Sequence, residues 1–173
     1  KVFLDDVHLS DDDIRNIKKI CIVACGTAWH AALVIRYYIE QYAKIPVEVD
    51  YGSEFRYRSP LIDPSTLFIV ISQSGETADT LGSLSLAAER GAKTLAICNV
   101  VGSTIARRAA NILYTHAGPE ISVASTKAFS TQLTAGYILA LRMAQARGTL
   151  SAAEMKQRID ELVHLPACVS EAL

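Results

Sequence analysis

Charge of one sign is the first thing this chain lacks. Lys and Arg total 17 against 18 Asp and Glu, leaving a net charge of −1. No global field draws nucleic acid or an anionic membrane, so any anion site has to be local. Metal-type cysteine spacing is missing too. The four cysteines, Cys21, Cys25, Cys98 and Cys168, contain no pair with zinc-ligand spacing. Buried reduced thiols are the plainer reading, and they point to a cytoplasmic protein. No G-x-G-x-x-G follows a strand and no G-x-x-x-x-G-K-[ST] occurs, which argues against nucleotides and leaves no cofactor or metal called for. The apolar stretch from Leu133 to Met143 is bounded or broken by Lys127, Gln132 and Arg142. It falls short of the ~20 residues of a membrane span. Repeats and low-complexity segments are absent, as is a signal peptide. The first residue is Lys1 rather than Met, and the segment ending at Leu173 looks unfinished. The expectation is a piece of a longer protein.

What remains is rich in core material. Half of the 173 residues are apolar and 20% are charged, enough for one domain with a substantial core. The chain is organised around Ser72-Gln73-Ser74-Gly75-Glu76-Thr77, which follows the apolar run Leu67–Ile71 and precedes a helical stretch, Ala78 to Arg90. Unpartnered backbone N–H groups and the positive end of the macrodipole make such a turn an anion site. A plain N-cap needs one hydroxyl. This turn offers those of Ser72, Ser74 and Thr77 around a glycine, so phosphate is the better expectation.

Ser10 is expected to cap a short helix opened by Asp11, Asp12 and Asp13, with Ile14 and Ile17 inward. Ile20–Ala24 reads as a strand apolar on both faces. Cys25-Gly26-Thr27 then turns the chain into a helix from about Ala28 to Ala43. Val47–Tyr51 alternates apolar and charged residues, as an edge strand does, and Ser53–Arg58 reads as a solvated helical turn. After the central turn, Leu81, Leu84 and Ala88 are expected inward, with Gly91 as a C-terminal cap. Thr94–Cys98 and Asn111–Thr115 read as further strands, joined by a short helix from Gly102-Ser103 to about Ala109. A loop carrying Gly118-Pro119-Glu120 leads to a long helix capped by Ser125 or Thr126 and ended by Gly148. A capping box, Ser151 to Glu154, opens a last helix expected to end near Pro166.

Strand and helix thus alternate along the chain. Crossovers of this length join parallel strands, which predicts an α/β, three-layer αβα sandwich on a five-stranded parallel sheet. With the second strand at an edge, the economical order is 2-1-3-4-5, the flavodoxin-like order. Ligands bind where that order reverses, beyond the carboxyl ends of strands one and three. The turns Cys25–Thr27 and Ser72–Thr77 would face each other there, and a small phosphate ester fits them best.

The central turn with Ala78-Asp79-Thr80 resembles the signature of the sugar isomerase (SIS) domain. Ala24–Thr27, Ser53–Arg58, Leu95–Val100 and Val123–Phe129 narrow the resemblance to the first SIS domain of the glutamine–fructose-6-phosphate aminotransferase (isomerizing) family. The match runs from about Ile20 to Gln145. It implies that Ser72, Gln73, Ser74 and Thr77 hold the phosphate of a hexose 6-phosphate (fructose, glucosamine or glucose), and that Thr27, Val123 and Ser125 touch the sugar. A serine usually follows the threonine of the first turn in this family. Here it is Ala28, which brings no hydroxyl to its place in the substrate site. The resemblance also implies a homodimer, and missing glutaminase and second SIS domains. The family's acid–base glutamate, Schiff-base lysine and ring-opening histidine lie beyond this stretch, so no catalytic residue is assigned. His8, His30, His116 and His164 fall in none of the matching motifs, Lys127 is read as a helix-start residue, and Cys25 has no evident base partner. Glu76 is read as structural. A stand-alone sugar-phosphate sensor in a regulator is the alternative, but such a protein should carry a DNA-binding or partner segment, and none is evident. An unliganded flavodoxin-like scaffold is a third reading, disfavoured by the two facing turns.

Overall fold

The computed structural model describes residues 4–121 and 124–172. Five strands form one parallel sheet: β1 (Lys19–Ala24), β2 (Val47–Tyr51), β3 (Thr66–Ser72), β4 (Lys93–Cys98) and β5 (Asn111–Tyr114), in the order β2-β1-β3-β4-β5. Helices cover both faces, and the expected αβα sandwich is what forms. The two-residue period of a strand assigns the faces. Ile20, Ile22 and Ala24 of β1, with Leu67, Ile69 and Ile71 of β3, pack into one cluster. Cys21, Val23, Phe68 and Val70 point the other way into a second. Continuous apolar runs result because both faces are buried.

The first face is covered by α1 (Asp11–Asn16), α2 (Thr27–Tyr38) and α6 (Lys127–Arg147), through Ile14, Ala28, Ile35, Leu139 and Met143. The second is covered by α3 (Gly52–Phe55), α4 (Ala78–Glu89) and α5 (Thr104–Arg108), through Phe55, Leu84, Ala87 and Ile105. On α1, Ser10 and Asp13 form a capping box, and Asp13 also pairs with Lys93 of β4 at 2.8 Å. Edge strand β2 carries Glu48 and Asp50, both bridged by Arg58 from beyond α3. Burial by itself would raise the Glu48 pKa, but hydrogen bonds from Arg58 and Lys19 outweigh it and hold the carboxyl below its usual range.

Several expectations need correction. The helix begun at Thr27 changes to a π-helical turn over Ile39–Ala43, ending at Lys44 in the left-handed region. On α4 it is Ala87 that is buried and Ala88 that is exposed, because Thr80, Ser83, Leu84 and Ala87 define the inward stripe. Within Ser53–Arg58, Phe55 is fully buried against Phe68, 5.0 Å between ring centroids, so this is not wholly a solvated turn. Neither Ser125 nor Thr126 caps α6 through its hydroxyl. The last helix, α7 (Ala152–Ala172), opens with the expected box but runs through Pro166. Proline removes one N–H donor and crowds the turn before it, yet the helix continues to Ala172. Of the cysteines, Cys21 and Cys98 are buried, Cys25 is half-buried and Cys168, on the outer part of α7, is exposed rather than buried.

Candidate functional site

Register brings the two turns together. Ala24 lies beside Ile71, so the chain leaves β1 and β3 at the same level of the sheet. From there Gly26 leads into α2 on one face and Ser72–Thr77 into α4 on the other. Gly26 is the N-cap of α2 with φ 59° and ψ −134°, and open space surrounds the position of a missing Cβ. The glycine is there for its backbone angle. Gly75 has φ 69° and also no room: a Cβ would lie 2.0 Å from Ser103 Oγ and 2.8 Å from Cys98 Sγ. The turn therefore packs hard against the start of α5, and the Ile105 N–H donates to the Gly75 carbonyl at 2.9 Å.

The hydroxyls of this turn shape it from within. Ser72 Oγ accepts from the Gly75 N–H at 3.0 Å, and Ser74 Oγ accepts from the Glu76 N–H at 3.2 Å. Each of these seryl oxygens thus spends a lone pair locally. Thr77 stands at the N-cap of α4 but makes no side-chain bond to the helix; its hydroxyl lies 3.4 Å from that of Ser72. No side chain caps α4 in the usual way, and its first N–H groups keep their capacity for an anion. Glu76 turns away. Its carboxylate accepts from the Thr104 N–H at 2.8 Å, capping α5, and this bond to Thr104 holds the carboxyl below its usual range.

A cleft of about 270 Å³ opens between these turns. Thr27 and Ala28 line it from α2, and Ser72, Gln73, Ser74 and Thr77 from the central turn. Ser125 reaches it from the loop before α6. Seven of the eight expected site residues therefore share one cleft, while Val123 lies outside the described residues. Cys25, Gly26 and Ile71 line it as chain neighbours of the expected positions. None of the cleft-lining residues is a histidine or lysine among those described, and no group of acidic, histidine and cysteine side chains there could hold a metal ion.

Two lining residues escaped the sequence reading. Glu120 accepts from the Thr126 N–H at 3.2 Å and from the Ala128 N–H at 3.0 Å, so it caps α6 in place of Ser125 or Thr126. The bond from Ala128 is the main reason its carboxyl sits below the usual range. Its signal was a carboxylate six to eight residues ahead of a helix start with no capping box. The other is Gln132. Its signal was a polar residue inside the stripe Ala128, Gln132, Ala135, Leu139, which is spaced to face the core.

The sequence profile of the SIS domain matches residues 13–142. The chain belongs to the SIS domain family. It is 58% identical over 163 residues to a glutamine–fructose-6-phosphate aminotransferase (isomerizing) of Clostridium tetani, covering 94% of this chain and 27% of that protein. The same enzyme of Mycobacterium tuberculosis is 51% identical over 173 residues, covering 100% of this chain and 28% of the relative. Among solved structures, the C-terminal domain of glucosamine-fructose-6-phosphate aminotransferase from Francisella tularensis superposes with a TM-score of 0.87 at 42% identity, over 91% of this chain and 45% of that one. This SIS chain thus spans a little over a quarter of the length of the curated relatives it matches.

Proposed function

We propose that this SIS domain is the first sugar-phosphate-binding unit of a glutamine–fructose-6-phosphate aminotransferase. The whole enzyme would make glucosamine 6-phosphate from fructose 6-phosphate and glutamine, with a glutaminase domain and a second SIS domain completing it. The observation that carries this reading is the uncapped start of α4, ringed by the hydroxyls of Ser72, Ser74 and Thr77 and facing Thr27 across one cleft. The phosphate of a hexose 6-phosphate sits on that turn, where backbone N–H groups and hydroxyl donors converge. The sugar extends toward Thr27, Ala28 and Ser125. The α6 start offers no rival anion site, since the Glu120 carboxylate already occupies it.

Similarity to these aminotransferases at 58% and 51% identity supports the choice of substrate class. Among the described residues no helix is long and apolar enough to cross a membrane. A cytoplasmic setting belongs to the same proposal. The same reading makes the protein a homodimer. Phe55 of the Ser53–Arg58 turn is buried, but Tyr57 is 83% exposed, an aromatic of the kind favoured at interfaces.

Calorimetry with fructose 6-phosphate tests the site. Ser74→Asp puts a carboxylate on the turn that holds the phosphate, and like charges oppose binding. Binding by the parent chain and at least a tenfold loss (about 1.4 kcal/mol) in the variant are expected. Equal affinity would place the phosphate elsewhere.

A further inference from the structure

Gln132 lies on α6, in the helical layer that covers the first face of the sheet, whereas the Ser72–Thr77 turn feeds α4 on the second. The two walls of the cleft therefore come from opposite layers. Gln132 is only 3% exposed, it lines the cleft, and its Oε1 is buried with no hydrogen-bond partner. Within the described residues neither end of its amide is engaged. Buried side-chain amides are ordinarily satisfied, and leaving one unsatisfied costs stability. A glutamine kept on a stripe otherwise made of Ala128, Ala135 and Leu139 asks for a partner that the described residues do not supply.

We infer that the Gln132 amide is a specificity-determining group of the cleft, which hydrogen-bonds hydroxyl groups of the bound sugar. The inference rests on the hexose-phosphate reading above and adds a residue to that site. The chemistry selects hydroxyls. A phosphate oxygen could use only the amide's N–H groups, whereas a hydroxyl can pair with the amide oxygen as well, and it is Oε1 that is buried without a partner. An amide and a hydroxyl can each donate and accept, so one turn of the amide plane satisfies either orientation. The phosphate end is already furnished by hydroxyls and N–H groups of the central turn. Gln132 then reads the polyol, and a site built to hydrogen-bond a substrate hydroxyl rejects ligands that lack it.

Gln132→Met, of similar length and without the amide, separates this role from packing. Calorimetry and NMR titration are run on parent and variant with fructose 6-phosphate, glucose 6-phosphate and inorganic phosphate. The variant should bind at least one hexose phosphate about three- to tenfold more weakly, the loss of one or two net hydrogen bonds, and inorganic phosphate as the parent does. Its ligand-free melting temperature should equal or exceed the parent's, because an unsatisfied buried group has been removed. A merely structural glutamine predicts the reverse pattern, a lower melting temperature and unchanged affinities. Gln132→Leu repeats the comparison should the methionine variant fold poorly. Parent and variant binding both hexose phosphates equally would overturn the role of Gln132 and leave the reading of the cleft standing. A parent that takes up neither hexose phosphate would bring down that reading, and the role of Gln132 with it.

Discussion

Gly75 shows how much of the site hangs on one missing methyl. At φ 69° an L side chain is strained, which costs on the order of 1–3 kcal/mol. The added Cβ would also meet Ser103 Oγ at 2.0 Å and Ser103 Cβ at 2.5 Å, and Ser103 is buried. Overpacking of this kind costs about 1–3 kcal/mol more. Gly75→Ala should therefore lose about 2–6 kcal/mol in denaturant unfolding and weaken hexose-phosphate binding with it. An unfolding midpoint equal to the parent's would mean that the turn relaxes freely. The role of this glycine was legible from its place between strand and helix. Its clash with Ser103 was not, because residues 28 positions apart meet only once β3 and β4 pair. Burial pushes the Cys21 thiol up to about 12, which makes it core rather than chemistry, as its apolar surroundings in the sequence suggested.

Among the elements, α1 is tied down by charge. The hydrogen bond from Lys93 first, then those from Ser10, lower the Asp13 carboxyl from 3.8 to about 2. A carboxyl depressed by folding stabilises the native state fully above its unfolded pKa, and that contribution fades as pH falls toward the folded one. Stability should therefore decline from about pH 4 downward partly through Asp13, and Asp13→Asn should remove that part of the slope. Acid titration followed by circular dichroism checks this, and parallel profiles for parent and variant between pH 4 and 2 would refute it. The Ser10 cap itself was readable, but Lys93 as the partner of Asp13 was not, since the pairing depends on how α1 lies across the start of β4. Helix ends behaved alike. The Ser151–Glu154 box forms as its spacing promised, whereas α6 is capped by Glu120 from the loop before it, six to eight residues ahead and outside the spacing of a capping box.

For the whole molecule, the order 2-1-3-4-5 followed from one edge-like strand and four apolar ones, and it carried the cleft with it. Six of the expected positions share the cleft because strand order makes the β1 and β3 turns neighbours, while Ser125 arrives from the loop before α6. Catalysis should be absent from this chain. Glu76 caps α5 and Glu120 caps α6, each held below the usual carboxylate range by those bonds, so neither stands free as a proton shuttle near neutral pH. Incubation with fructose 6-phosphate, with and without ammonia, should give no glucose 6-phosphate or glucosamine 6-phosphate. Sustained product formation abolished by Glu76→Gln would reverse the role given to that residue.

The ion pairs along β2 bear on how copies of this molecule can meet. An outermost strand offers unpaired N–H and C=O groups to any passing strand, and chains that leave such a margin apolar are prone to stack into fibres. Here Glu48 and Asp50 line that margin, with Arg58 and Lys19 gathered onto them. A newcomer strand would have to strip water from four charged groups before forming its first ladder bond. The sheet is thereby fenced at this side against growing by addition of a strand.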